Sequence, residues 1–308
     1  MQPSSTPTES IPDRPDENSL LPIAEAGDLD AFRAEVASIS DSSVCVQEGK
    51  FVVYEIRGAD FPLIMHEVAR EREIAFRAVG EGTGQAMDRD RFDEHYIQLI
   101  LWDADEQRLA GGYRVGKTDE ILATHGPDGL YCSELFQFEP EFLSVLNPAL
   151  ELGRSFVCPA YQRAIKPLAL LWKAVTSICS RDHRYHYVYG PVSISDDYSA
   201  LSKSLIVEFM NRRLRDDQLA SKVKPKNPFS CAGEIDRLEF DQISESLATI
   251  EDVSARISES EPDGKGIPVL IRQYLKMKAK LLSFNVDPQF GNTLDALLLA
   301  DFRQVPLK

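Results

Sequence analysis

Four polar groupings in this chain combine residue types and spacings that could do chemistry. Arg72 lies one helical turn from both Val68 and Phe76, so a charge shares the face of an apolar stripe. Asp88, Asp90 and Asp93 crowd DRDRFDEH, just ahead of a strand that starts near His95. Arg114 interrupts the strand-like GGYRVG, and Glu151 with Arg154 interrupt LELGRSFVCP, whose apolar content reads as a buried strand. Guanidinium forks match carboxylates, so the three arginines suit either a bound carboxylate or the neighbouring acids. A carboxylate within reach of an attacking amine suits general-base work. Each feature also has a plain explanation: a snorkelling arginine, a solvated acidic loop, a strand arginine on the wet face. Taken together, three acids and three arginines fall in segments expected to meet at one sheet, and buried ion pairs gain too little stability to explain that alone.

Strand geometry sharpens the last grouping. With a period of two, Glu151 and Gly153 face one side of the sheet, and Leu152 and Arg154 the other. The two charges share a site only where the strand is irregular, and Gly153 is the position that best tolerates a bulge. A bulge would also release a backbone N–H as an oxyanion donor. Asp88 and Asp90 alternate like calcium ligands, but the DxDxDG loop with a glutamate at its twelfth position is missing, so no metal site is expected. Five cysteines (Cys45, Cys132, Cys158, Cys179, Cys231) stand at irregular spacing without a CxxC pair, and read as reduced structural thiols.

The elements that must position these residues follow from periodicity and punctuation. Residues 1–20, rich in Ser, Thr, Pro and acid, read as disordered, and residues 21–308 as a single domain. Helical spacing runs from Ala24 to Val36, and VCVQEGKFVVYEIR reads as a hairpin about a glycine turn. A helix of about 18 residues opens near Asp60, a candidate cap, and ends at Gly80, with Ile64, Val68, Ala75 and Val79 as its stripe. HYIQLILWDADEQRLAGGYRVGKT gives two antiparallel strands. NPALELGRSFVCP is the next strand, and a helix follows at once despite Pro167 in its first turn. YHYVYGPVSIS is a strand, and DYSALSKSLIVEFMNRRLR a helix with Leu201, Leu205 and Phe209 on one face. Residues 217–266 read as an insertion with one helical run near Ile243 to Ile257. A last helix, IPVLIRQYLKMKAK, precedes a closing hairpin about DPQFGNT. The fold class is therefore α/β, a mixed, mostly antiparallel central sheet flanked by helices, with a helical insertion before the last helix and hairpin.

At 308 residues the chain is long enough for one large core or two modest domains, and its 43% hydrophobic and 9% aromatic content are those of an ordinary folded globule. A formal net charge of -15 disfavours nucleic acid as a partner. No apolar run of transmembrane length and no apolar leader occurs, so a cytoplasmic location is expected. The charge is uneven. Lys203, Arg212, Arg213, Arg215, Lys222, Lys224 and Lys226 outnumber the acids among them, a basic stretch suited to an acidic protein or an anionic membrane surface at the inner face.

With these motifs in hand, the chain resembles the acyl-carrier-protein-dependent N-acyltransferases of the GNAT superfamily, the hemolysin-like or ornithine-lipid-synthase-like group, and more distantly the acyl-homoserine-lactone synthases. The resemblance rests on REIAF, DRDRFDEH, GGYRVG and ELGRSFVCPAYQR, with support from LLWKAV, YGPVSIS and the C-terminal hairpin. It implies transfer of a long-chain fatty acyl group to the amine of an amino acid, giving an N-acyl amino acid or lyso-aminolipid. Glu151 would be the base and Arg154 a partner in catalysis, with Tyr198 a candidate acid for the leaving thiolate. Arg72, Phe76, Asp90, Asp93 and Arg114 would bind substrate. Phe156, Val157, Cys158, Gln162 and Arg163 would serve the acyl donor and the oxyanion.

The resemblance has one informative gap. GNAT proteins usually carry a glycine-containing pyrophosphate loop after the central strand, and here YQRAIKP has no glycine. That points to a carrier-protein thioester as donor, with acyl-CoA less suited and no permanently bound cofactor. A lysophospholipid O-acyltransferase is the nearest rival, yet none of His66, His95, His125, His183 or His186 has Asp five positions later, so its HxxxxD motif is missing. A membrane-lytic protein lacks its amphipathic or spanning segment. A non-catalytic acyl- or lipid-binding protein stays open at this level.

Overall fold

The computed structural model describes residues 20–230, 240, 243 and 245–304. The segment read as disordered, residues 1–20, falls outside these apart from Leu20, and so does Cys231. The main sheet has eight strands. In chain order they are β1 (Val44–Glu48), β2 (Phe51–Arg57), β3 (Ile97–Asp103), β4 (Arg108–Lys117), β6 (Leu150–Val157), β7 (Tyr187–Ile194), β9 (Lys280–Asp287) and β10 (Thr293–Asp301). Their spatial order is β1-β2-β3-β4-β6-β7-β10-β9, and a two-stranded sheet pairs β5 (Phe136–Phe138) with β8 (Val223–Pro225). Antiparallel pairing prevails throughout, as the hairpin signals require, with one exception. Strands β6 and β7 run parallel and pair only at Leu150 with Val188 and Glu151 with Tyr189. Beyond those two pairs they diverge.

Strand alternation puts one set of side chains on each face. Leu99 and Leu101 pack with Leu170, Leu171, Trp172 and Val175 of helix α6 (Lys166–Arg181), while Ile100 and Trp102 pack with Ile64, Met65 and Val68 of helix α2 (Pro62–Arg77) and with Phe32 of helix α1 (Leu29–Ala37). The first face is completed by α7 (Ala200–Arg213), α9 (Ile250–Ser260) and α10 (Val269–Lys276). Three short helices between β4 and β6, namely α3 (Thr118–His125), α4 (Cys132–Leu135) and α5 (Pro140–Val145), surround a smaller cluster around Phe136 and Phe142. The segment from 217 to 266 contributes α8 (Asp217–Ala220), β8 and α9.

Local chemistry moved several boundaries. Helix α1 starts at Leu29 rather than near Ala24 because Asp28 caps it, its carboxylate accepting from the N–H groups of Asp30 and Ala31 at 3.0 Å. Asp60, the cap candidate of the sequence, does not cap α2: it lies in a 3₁₀ turn, and Glu35 of α1 accepts the Ile64 N–H at 2.6 Å instead. Val79, counted in the α2 stripe, lies past the helix end and is 44% exposed. The short helices at 118–145 and strand β8 carry too few residues to show a period, and a residue-by-residue pattern gave no sign of them.

Candidate functional site

The sequence question of two charges in a buried strand is answered by a bulge one residue later than expected. Gly112 of β4 faces Phe156 and Arg114 faces Gly153, so Arg154 and Ser155 together oppose Tyr113 alone. Arg154, not Gly153, adopts the left-handed conformation, with φ 52°. The bulge turns the Arg154 side chain towards the acid cluster. Its guanidinium lies 3.0 Å from Asp88 and 3.5 Å from Asp90, donates to the Tyr131 hydroxyl at 3.0 Å, and stacks over the rings of Tyr131 and Phe290.

Each of the three arginines meets two of the three acids. Arg72 is 1% exposed and binds Asp93 through both terminal guanidinium nitrogens, at 2.9 and 2.7 Å, while its Nε donates to the Asp88 carbonyl. Arg114 reaches Asp90 at 2.6 Å and Asp93 at 3.3 Å within a cage formed by the rings of Phe92, Tyr96 and Tyr131. Burial opposes ionisation of Asp93, yet the Arg72 and Arg114 guanidiniums hold its carboxyl well below the usual carboxylate range. Asp90 is likewise held low by Arg114 and Arg154 against its own burial. Glu73 of α2 secures the loop that delivers these acids, accepting from the N–H of Thr83 and Gly84 and from the Thr83 hydroxyl. Of the five residues expected to bind substrate, Arg72, Asp93 and Arg114 pair with one another and line neither of the cavities described next. Asp90 borders a cavity, and so does Phe76.

Two cavities adjoin this network. A slot of about 250 Å³ opens where β6 and β7 part, lined by Phe76, Tyr113, Gly153 to Val157, Pro191, Leu270 and Asp295 among others. A polar chamber of about 820 Å³ lies beyond, lined by Asp88, Asp90, Glu134, Lys226 and Asp287. Tyr131, Arg154 and Phe290 border both. Two glycines permit this arrangement. A Cβ at Gly190 would stand 2.2 Å from the Leu152 carbonyl oxygen, so only glycine lets β7 approach β6 at the point of divergence. Gly291, at φ +67°, brings the β9–β10 turn against the end of α2, where a Cβ would meet the Gly80 carbonyl at 2.3 Å. That contact sets Phe290 edge-on against Phe76, centroids 5.1 Å apart.

Glu151 departs from its expected place. It is 0% exposed and lines neither the slot nor the chamber. The Tyr96 hydroxyl donates to one of its oxygens at 2.5 Å and the Cys132 N–H to the other at 2.6 Å. Burial, the larger influence, raises its pKa against these hydrogen bonds. The reason is register: Glu151 belongs to the last pair before β6 and β7 separate, and the slot opens after it. Tyr96 also accepts the Tyr131 N–H at 2.9 Å, so Glu151 acts on the slot wall through two intermediaries.

The Acetyltransferase (GNAT) domain family matches residues 72–173, a span holding the charge network, the bulge and the start of α6. Over 251 residues the chain is 30% identical to a glycine N(alpha)-acyltransferase of Phocaeicola vulgatus, covering 78% of this chain and 76% of that protein. The chain belongs to the GNAT acyltransferases. A glycine N(alpha)-acyltransferase of Bacteroides thetaiotaomicron is 29% identical over 268 residues, covering 80% of this chain and 76% of that one. No solved structure matches.

In this acyltransferase the residues expected at the donor side divide. Cys158 falls away: its N–H donates to the Ala110 carbonyl at 3.0 Å and its thiol is buried, which pushes its pKa up. Because the amides of an antiparallel strand alternate in direction, the Val157 N–H points away from β4, towards the side where β7 has left. The Gln162 amide donates to the Val157 carbonyl at 3.0 Å on that same side. Phe156 and Gln162 line the slot; Arg163 is exposed and does not. Tyr198 also lies outside the slot lining, and its hydroxyl donates to the Gly266 carbonyl at 2.6 Å, with burial pushing its pKa up to about 12. It is badly placed to give a proton to a thiolate. In the basic stretch, Lys203 pairs with Asp196 at 2.6 Å, Arg212 with Glu208, and Arg215 with Asp217 at 3.3 Å, so its excess charge is partly offset. Among the described residues no group of His, Cys, Asp or Glu is arranged to hold a metal ion, and no helix is long and apolar enough to cross a membrane.

Sequence reasoning missed Tyr96, Tyr131, Phe290, Glu81 and Asp295. Asp295 was open to the argument applied to Glu151, since TLDALLLAD is a buried run interrupted by an acid. Glu81 lines the slot, and burial with the nearby Asp197 charge pushes its pKa up to about 7. A raised carboxyl pKa makes the folded protein hold a proton that the unfolded chain has lost, so stability falls as pH rises from about 4.3 to about 7. Glu81→Gln is expected to flatten that decline and to melt above the parent at pH 8; thermal unfolding across pH 5–8 measures it.

Proposed function

We propose that the protein transfers a long-chain fatty acyl group from the pantetheine thioester of acyl carrier protein to the amine of a small amino acid, glycine foremost, forming an N-acyl amino acid. The observation that carries this reading is the slot between β6 and β7, with Phe76, Phe156, Val157 and Leu270 in its lining and Arg154 bordering both it and the polar chamber. The names of the two relatives supply the acceptor class. The acyl thioester occupies the slot with its carbonyl oxygen at the Val157 N–H, and the acceptor's carboxylate meets Arg154. The absence of glycine in the loop before α6, together with the proline in its first turn that removes one backbone N–H, favours the carrier-protein arm over coenzyme A, because a pyrophosphate depends on open backbone amides there.

Glu151 is then a positioning residue. It holds Tyr96, which holds Tyr131, which borders both cavities and braces Arg154. Glu151→Gln is expected to lower kcat by up to about 10²-fold through a displaced wall. The pH dependence of kcat should keep its shape, because the carboxylate does not exchange a proton with substrate. A loss of the acidic limb in this variant would restore Glu151 as the base.

The direct test supplies purified protein with palmitoyl-acyl carrier protein or palmitoyl-CoA and a panel of small amino acids, reading free thiol and amide product by mass spectrometry. N-acylglycine from the carrier-protein thioester, at a higher rate than from the CoA thioester, is expected. Esterified lysophospholipid, or thioester binding without any product, would replace this reading with the O-acyltransferase or the non-catalytic alternative.

A further inference from the structure

Strand β10 places a carboxylate in the slot that nothing so far accounts for. Asp295 is 3% exposed and lines the slot with Arg154, Tyr131 and Gly153. It pairs in register with Ser193 of β7, whose hydroxyl donates to it at 2.9 Å, a contact that fixes its direction. Glu81 borders the same slot and Asp287 the adjoining chamber. Among the described residues, no Lys, Arg or His forms an ion pair with any of these three. This contrasts with the neighbouring network, where acids and arginines match one for one. Gathering three carboxylates without a matching cation is unfavourable in the resting protein, and an ammonium group arriving in the slot would relieve it.

We infer that Asp295 is the catalytic carboxylate that receives the acceptor's ammonium group and takes its proton, with Glu81 lining the same slot. The assignment rests on the amine-acylation reading above and names the residue that reading leaves open. Arg154 and Asp295 form the two ends of a zwitterion site: one for the acceptor's carboxylate, the other for its nitrogen. Burial first, then the Asp287 and Glu81 charges, raise the Asp295 pKa, while the Ser193 hydrogen bond and Arg154 lower it; Tyr131 and Cys132 lie within its influence.

Asp295, as carboxylate, accepts one proton from R–NH3+, leaving R–NH2. The nitrogen lone pair forms a C–N bond to the thioester carbonyl carbon, and collapse of the tetrahedral intermediate breaks the C–S bond. The thiolate takes the second proton from the nitrogen and leaves as a thiol, while Asp295 returns its proton to solvent. One thioester and one ammonium thus give one amide, one thiol and one proton.

Asp295→Asn in the full chain tests this with two acceptors, glycine and aminoacetonitrile, the second being largely unprotonated at neutral pH. With glycine the variant is expected to lose at least about 10²-fold in kcat at pH 7. What remains should rise about tenfold per pH unit, tracking the free amine. With aminoacetonitrile it should keep most of the parent rate. Equal losses with both acceptors, or a parent-like rate with glycine, would overturn the assignment. Ser193→Ala guards against misfolding of the first variant. It leaves the carboxylate but removes a hydrogen bond that lowers its pKa, so the acidic limb of the glycine profile should move to higher pH, and an unmoved limb counts against Asp295. If the parent protein acylates no amine under these conditions, the functional reading itself fails and this assignment falls with it.

Discussion

Asp93→Ala is expected to destabilise the fold by roughly 3–5 kcal/mol, the largest stability effect at any position in the site. The substitution leaves Arg72, 1% exposed, without its bidentate partner and strips Arg114 of one of two carboxylates. It also removes the acceptor for the Asp90 N–H and for the Gln98 amide, both at 3.1 Å. An unbalanced guanidinium beneath the sheet costs far more than the intact pair contributes. The pH dependence gives an independent check. The folded-state pKa of Asp93 is depressed, so its contribution is complete above the unfolded carboxyl pKa of about 4 and is lost as pH falls below that. Denaturant unfolding of the parent and of Asp93→Asn should therefore differ more at pH 7 than at pH 3. An equal difference at both pH values would show that the charge on Asp93 does not stabilise the fold.

Arg154→Gln is expected to reduce kcat/KM for an amino-acid acceptor by about 30- to 1000-fold, corresponding to roughly 2–4 kcal/mol for a buried charge-assisted contact removed on one side. Arg154 borders both cavities and is held by Asp88, Asp90 and the Tyr131 ring, so its fork is already oriented before substrate arrives. The effect should depend on the acceptor. Methylamine, which has no carboxylate, should be acylated by variant and parent at rates within a few fold of each other. Glycine should lose the full factor. If both amines lost equally, Arg154 would be supporting the bulge rather than binding the acceptor, since its left-handed backbone makes it a structural residue as well.

The sequence by itself determined the elements whose residues carry a strong period or clear punctuation. The α2 helix, the β3–β4 pair, the β6–α6 unit and the closing hairpin follow from apolar spacing and turn residues, and so does the mixed, mostly antiparallel sheet. It also determined that Arg72, Arg114, Arg154 and the acids of DRDRFDEH are oddly placed charges that belong together. Local pattern can say that a charge sits on an apolar face, because face is a property of one element.

What only the tertiary structure decided is which of those charges meets the open space. That depends on where β6 and β7 stop pairing, a relation between strands some forty residues apart in sequence. One residue of register separates the last pair, holding Glu151 in the dry interior, from the slot that begins at Gly153. The bulge rotates Arg154 out of strand alternation by an amount no period-two argument supplies. Asp295 stayed hidden for the same reason, since its neighbours in the slot come from α2, β6 and β7, and its meaning lies in the cations that fold did not bring to it.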